Sequence, residues 1–311
     1  MHKYLLTILI IVLTLFMPVK AQEADDTVVK FVQISDPQVM QTNLDNSRRL
    51  FKDSFILLKD AIDQLNELED IEFVIFTGDM IDSAQKSDMM RFISYADKLK
   101  YPWYPVLGNH DVSYGGYMVK KNLIPLMKAH TRGMQNDKGY YTFYPSTQTA
   151  IIVLDGTMDF KHTVHGYLDP EQLKWFQTQL EHNKDRVVIV ALHYPIIPPF
   201  SGSNHTIYEP GRTEALNMIR KYPNVALVIS GHYHTTSIKK DGKQVHACAP
   251  ALVEYPNAFR IINIKENGDI VFEWKETRLK DLQQKSKNRS KWAATSYGKQ
   301  QDREATINYK Q

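Results

Sequence analysis

The sequence predicts an α/β domain built from two packed β-sheets. Three observations predict it: strands and helices alternate through the first half of the chain, the last third reads as short strands joined by turns, and five polar blocks each follow an apolar run. With 311 residues and 43% hydrophobic content, the chain can bury the core of one large domain, or two at most.

Residues 28–34 are a compact β-branched run ending at Ser35-Asp36-Pro37, a buried strand entering a loop. Leu50, Ile56, Leu57, Ile62, Leu65 and Leu68 recur at helical spacing within 47–68. Residues 73–76 form a second buried strand that stops at Thr77-Gly78-Asp79. An amphipathic helix follows over 89–99, then a short strand over 104–107 before Gly108-Asn109. Residues 140–144 and 149–154 flank Pro145-Ser146-Thr147-Gln148, a turn composition, and predict a hairpin. Asp169-Pro170 opens a helix to about His182, with Asp169 as N-cap and Pro170 at the first position. Residues 187–192 are a strand ending at His193, 214–222 a helix, and 225–229 a strand ending at Gly231-His232. Between Ser237 and Trp274 short strands turn at Asp241-Gly242 and Asn267-Gly268-Asp269. Residues 276–311 are polar and rich in Lys and Gln, which predicts a surface helix fading into a mobile tail.

The formal charge of +3 is unevenly spread. Residues 276–311 hold nine Lys/Arg against four Asp/Glu, so residues 22–275 carry about −4. The domain therefore has no overall basic character, and the charge does not imply a nucleic-acid or anionic-membrane partner. The N-terminus reads as a signal peptide over 1–21: His2-Lys3, an apolar run over 4–16, then Val19-Lys20-Ala21 before Gln22. The run is shorter than the ~20 residues that span a bilayer. The expectation is therefore an exported protein, periplasmic or secreted, with no membrane attachment after cleavage. The expected organisation is 1–21 signal peptide, 22–275 domain and 276–311 basic tail. Cys248 is the single cysteine, which precludes an internal disulfide and predicts a buried, inert thiol.

The five blocks are Asp36-Pro37-Gln38, Gly78-Asp79-Met80-Ile81-Asp82, Gly108-Asn109-His110-Asp111, His193 and Gly231-His232-Tyr233-His234. Ligands of open α/β sheets collect outside the carboxyl ends of the strands, so five strand-end blocks predict one shared site. Asp36, Asp79, Asn109, His193, His232 and His234 offer oxygen and imidazole nitrogen, with no thiolate. That mix suits Mn, Fe or Zn, and Ca less obviously. One bridging carboxylate lets two divalent cations approach to about 3.5–4 Å, bind phosphate oxygens and activate a bridging water. Singly the blocks are weak signals, since a lone His after a strand is usually structural and Asp-Pro-Gln is usually a turn. Their ordered combination is specific.

In this order the blocks resemble the calcineurin-like metallophosphoesterases, whose pattern is Asp-x-His, Gly-Asp-x-x-Asp/Asn, Gly-Asn-His-Asp/Glu, a lone His and Gly-His-x-His. The resemblance covers roughly residues 28–264. It implies a four-layer sandwich, two facing mixed sheets with helices on both outer sides, and phosphate-ester hydrolysis through a metal-bridging hydroxide. By the same resemblance Asp36, Gln38, Asp79 and His234 hold one metal and Asp79, Asn109, His193 and His232 the other, with Asp79 bridging. His110 is the implied general acid or transition-state stabiliser, Asp111 the carboxylate that orients it, and Asp82 a support behind the ligands. Gln38 departs from the usual His; an amide oxygen is a neutral, harder and weaker ligand, so the first metal is expected to be held more loosely or to be a harder ion. Asp-Pro-Gln resembles a subgroup that includes proteins described as protein phosphatases. Purple acid phosphatases need a tyrosine where Asp82 stands.

The segment 198–212 directly follows His193 and is rich in Pro, Gly, Ser and Asn. Loops of this length are often lids, which makes His205, Tyr208 and Arg212 candidates to touch substrate. Tyr114, Tyr117, His162 and His165 are further candidates, with packing or solvated loop as the plainer reading. The expected activity is hydrolysis of small phosphate esters, monoesters ahead of cyclic or linear phosphodiesters. A metal-bound binding protein without turnover is the alternative of another class.

Overall fold

The computed structural model describes residues 26–112, 118–161 and 163–311. The expected signal segment, Tyr114, Tyr117 and His162 lie outside the described residues. One six-stranded sheet runs β12 (Ala305–Asn308), β11 (Asp269–Glu276), β10 (Ala258–Lys265), β1 (Thr27–Ile34), β2 (Phe73–Thr77), β3 (Trp103–Val106). The second runs β4 (Tyr141–Phe143), β5 (Thr149–Val153), β6 (Val187–Ala191), β7 (Val225–Ser230), β9 (Gln244–Cys248), β8 (Ser237–Asp241). Both are mixed: β1, β2 and β3 are parallel, as are β5, β6, β7 and β9, and the remaining pairings are antiparallel.

Period-two alternation sorts the strand side chains between two buried faces. On β2, Phe73 stacks on Phe31 at 4.9 Å and meets Phe143 of the other sheet edge-on at 5.2 Å. Phe76 turns the opposite way and meets Phe92 of α2 (Lys86–Ala96) at 5.0 Å. α1 (Ser54–Glu67) joins α2 in this core through Leu57, Leu58 and Ile62. On the far side, α4 (Pro170–His182) and α5 (Gly211–Lys221) bury Phe176, Leu180, Ala215 and Ile219 against Ile152, Val188, Val190 and Val228. The result is helix, sheet, sheet, helix, as the motifs implied. Asp169 caps α4 by accepting the Gln172 N–H at 2.8 Å. α3 (Lys120–His130) is not legible in the sequence, because only Leu123, Ile124 and Met127 are buried and Pro125 interrupts it. Among the described residues no helix is long and apolar enough to cross a membrane.

The C-terminal reading needs correction. Residues 276–311 are not a free tail but α6 (Lys280–Arg289), α7 (Ala293–Tyr297), α8 (Gln300–Arg303) and β12, which extends the first sheet through Ile270 paired with Ile307. Tyr297 stacks on Tyr255 at 5.6 Å, meets Trp274 edge-on at 6.1 Å and lies 3.9 Å from the Arg303 guanidinium carbon. Tyr309 is buried. A few well-placed contacts anchor the segment, and average composition hides them.

His246 on β9 is buried, its Nε2 lacks a hydrogen-bond partner among the described residues, and burial moves its pKa from 6.5 down to about 4. The unfolded chain takes this proton near pH 6.5 and the folded chain only near 4. This contribution to stability is full above pH 6.5 and is lost as the pH falls. Urea unfolding at about pH 7.5 and about pH 5 should show His246→Gln losing about 2 kcal/mol less than the native protein. Equal losses would assign the effect to other groups.

Candidate metal centre

Parallel strands bring their carboxyl ends to one edge, and all five blocks meet there. The first two blocks are zipped together by main-chain bonds: Asp36 N–H to Gly78 O at 3.1 Å, Gln38 N–H to Asp79 O at 2.9 Å and Val39 N–H to Met80 O at 3.0 Å. The packing leaves no room for extra atoms. Gly78 has φ +95°, and a Cβ there would overlap the His193 ring; a Cβ at Gly231 would overlap Ser35 and Asp36. Asp36, Gln38, Asp79, His232 and His234 all have φ between +36° and +68°, a left-handed region that costs a non-glycine residue about 1–2 kcal/mol. These turns aim successive side chains of a strand end into one point.

Two groups of ligand atoms result, Asp79/His193/His232 and Asp36/Asp79/His234, each with its atoms within 4.8 Å of one another. Asp79 belongs to both. His193 Nε2 lies 3.4 Å from Asp79 Oδ1, and His234 Nε2 lies 3.3 Å from Asp36 Oδ1. Each ring has its other nitrogen held by a protein oxygen. His193 Nδ1 meets Thr77 O at 2.9 Å, His232 Nε2 meets Val164 O at 2.8 Å, and His234 Nδ1 meets Glu254 Oε2 at 2.8 Å. A nitrogen that donates to such an acceptor leaves the opposite one as a lone pair aimed inward.

The donor set tests whether metal ions fit. His232 Nδ1 and His193 Nε2 face each other at 3.1 Å, and two lone pairs at that distance need a proton or a cation between them. Asp36 Oδ1, Gln38 Oε1 and Asn109 Oδ1 are buried and accept no hydrogen bond among the described residues. A buried orphan oxygen costs about 1–3 kcal/mol, and here the three orphans belong to three of the expected ligands. Gln38 Nε2 donates to Asp79 Oδ2 at 3.2 Å, which leaves its amide oxygen for a cation. The residues fit two divalent ions.

The charges agree. Burial opposes ionisation of Asp79, but the charges of His193 and His110 outweigh it and hold the carboxyl well below its usual range. Burial opposes a charge on His193 too, yet Asp79 carries that ring up to about 9. Burial and the neighbouring His193 push His232 well below its usual value. Without metal, one proton on His193 does the balancing that a cation does when bound.

The family model for calcineurin-like phosphoesterases matches residues 29–236. The chain belongs to this family. It is 24% identical over 244 residues, 64% of this chain and 76% of the relative, to a manganese-dependent ADP-ribose/CDP-alcohol diphosphatase of Arabidopsis thaliana. It is 27% identical over 236 residues, 73% of this chain and 84% of the relative, to a probable cyclic nucleotide phosphodiesterase of Coxiella burnetii. In fold it is similar to a dimetal phosphatase from Danio rerio, with TM-score 0.69 and 17% identity over 91% of this chain and 100% of that one.

Other residues of this phosphoesterase differ from expectation. Asp111 does not serve as the carboxylate behind His110: its two oxygens accept the Ile81 N–H at 3.1 Å and the Gly108 N–H at 2.9 Å, stapling the second block to the third. Its burial, with Asp79 nearby, raises its pKa to about 7. Asp82 takes that place, with its carbonyl 2.6 Å and its carboxylate 3.3 Å from His110 Nδ1, and Arg49 holds the carboxylate at 3.1 Å. His110 Nε2 then faces Asp79 Oδ2 at 3.9 Å. The family resemblance implied the Asp111 partner, but here its carboxylate turns to the Ile81 and Gly108 main-chain N–H groups. Of the loop candidates, His205 lies 6.2 Å from the His232 ring. Tyr208 stays farther out against His165 at 4.8 Å, and Arg212 is tied to Glu209 at its Nε at 2.8 Å.

Glu254, buried between His234 and Arg48, escaped the sequence reading because no motif surrounds it. Metal analysis of manganese-loaded protein should find both ions reduced in Asp79→Ala and chiefly one in His193→Ala. Equal loss in the two would deny Asp79 its shared place. Glu254→Gln should weaken metal affinity roughly 10–100-fold, the usual effect of losing such a support; unchanged affinity would reduce Glu254 to packing.

Proposed function

We propose that the protein is an exported phosphodiesterase that acts on small phosphodiesters with two divalent metal ions. The observation that carries the diester reading is a cavity of about 290 Å³ opening on His232 and His234, lined also by Arg48, Phe200, His205, Tyr233 and Trp292. A diester has a second substituent to seat beside the reacting phosphate, and a monoester has none. A monoester dianion also asks for several cations; Arg49 is committed to Asp82 and Arg212 to Glu209, which leaves Arg48 as the cation lining the cavity. The relatives named above, a diphosphatase and a cyclic nucleotide phosphodiesterase, support the same side. The monoester preference expected from the sequence therefore gives way to the diester. Export rests on the N-terminal pattern of residues 1–21.

In this reading Asp36, Gln38, Asp79 and His234 hold one ion and Asp79, Asn109, His193 and His232 the other. When bound, the ions supply charge stabilisation to the phosphate and lower the pKa of water. The chain's own part is positional. His110 is tied at Nδ1 to Asp82, so Nε2 is the atom turned to the site. Burial lowers its pKa and the charges of Asp79 and Asp82 raise it above the ordinary value; with ions held on Asp79, the Asp82 contacts are what would favour a proton on Nε2 for the leaving oxygen.

With manganese, hydrolysis of bis-p-nitrophenyl phosphate should exceed that of p-nitrophenyl phosphate. The opposite order would return the reading to monoesters, and silence on both with Mn, Zn, Fe and Mg would point to a binding protein. His110→Ala should lower kcat by about 10²–10⁴-fold with metal content intact. Metal loss in that variant would contradict the assigned role.

A further inference from the structure

We propose that the cavity beside the metal centre is a subsite for a planar aromatic substituent of the diester, a nucleoside rather than a polyol, and that the C-terminal segment 290–297 builds one of its walls. This rests on the phosphodiesterase reading and narrows its substrate class. At about 290 Å³ the cavity lies near the lower end of small-molecule pockets, about 300–1,000 Å³.

Its walls are aromatic and fixed to the metal ligands. Tyr233 stands between His232 and His234 in sequence. Phe200 meets the Tyr233 ring edge-on at 5.5 Å, His205 lies over it at 5.8 Å and 26°, and the His205 N–H donates to the Tyr233 hydroxyl. Trp292 also lines the cavity and is 61% exposed, with no ring packed on it among the described residues. A single exposed tryptophan needs no explanation by itself. This one is held on a firm mount. The Thr236 N–H and hydroxyl both donate to Ser296 O, at 3.2 and 2.6 Å, and Thr236 follows His234 by two residues. The Ser290 hydroxyl donates to Glu254 Oε1 at 3.4 Å, the carboxylate that holds His234.

The polar groups favour a nucleoside over a polyol. Arg48 lines the cavity with Nε 3.4 Å from Glu254, and its terminal nitrogens make no hydrogen bond among the described residues. They are free to donate to base carbonyls, ring nitrogens or phosphate oxygens. A polyol would need acceptors for its hydroxyls; the lining offers the Thr235 and Thr295 hydroxyls, but its one carboxylate, Glu254, is already shared by His234, Arg48 and Ser290. A base offers a face for Trp292, and such stacking is tolerant of base identity.

The test uses the manganese-loaded full chain with two diesters, thymidine 5′-(p-nitrophenyl phosphate) and glycerophosphocholine. Trp292→Ala should lower the ratio of their kcat/KM values roughly tenfold or more, and Trp292→Phe should restore most of it. An unchanged ratio would overturn the subsite, because a structural role for Trp292 moves both substrates alike. Calorimetric binding of AMP and of glycerol 3-phosphate to the same proteins separates the subsite from the reaction. If neither diester is hydrolysed, the phosphodiesterase reading fails. The subsite survives that failure only if AMP binds more tightly than glycerol 3-phosphate and Trp292→Ala removes the difference. Equal binding of the two by the native protein overturns it.

Discussion

Asp79 is buried at the meeting point of the two sheets, 3.4 Å from His193 and 3.9 Å from His110, with Gln38 and the His110 main-chain N–H donating to its oxygens. An ionised carboxylate taken out of water costs several kcal/mol unless positive charge and donors surround it. The surroundings follow from that need. Imidazoles must reach Asp79 from both sheets, each ring must present the right nitrogen, and the opposite nitrogen must be held. Main-chain carbonyls at Thr77, Val164 and Asp82 do the holding for His193, His232 and His110, and Glu254 does it for His234.

Such a point can be reached only from strand ends that lie side by side. The parallel run β1, β2, β3 delivers the first three blocks, and β6 beside β7 delivers His193 and the final block. The turns that follow are sharp, with left-handed φ at five of the candidate ligands. That strain persists because the strands behind are buried on both faces and cannot relax. Metal binding would return part of the cost by satisfying the orphan oxygens of Asp36, Gln38 and Asn109.

The same packing joins the C-terminal segment to the centre. Ser290 touches Glu254, Glu254 holds His234, and Ser296 is bonded to Thr236. A segment that composition presents as solvated thus shapes the space in which a substituent beside the reacting phosphate would lie. Gln38, the one departure from the expected ligand pattern, is accommodated without disturbance: its amide nitrogen bonds Asp79 and its oxygen stays free.

The strands, helices and hairpin before residue 276, α3 apart, were legible because they depend on local periodicity and turn chemistry. Asp169 with Pro170 marked the start of α4, and the apolar run before Gly78 marked β2. The strand-end blocks were legible as ligand types, since oxygen and imidazole donors are read directly from residue identity. What only the tertiary structure decided is pairing. Asp82 rather than Asp111 stands at His110, Glu254 stands behind His234 from 20 residues away, and Ser296 meets Thr236 from 60 residues away. Those contacts leave no pattern in the chain, because they arise from how separate strand ends and a C-terminal segment are stacked in space.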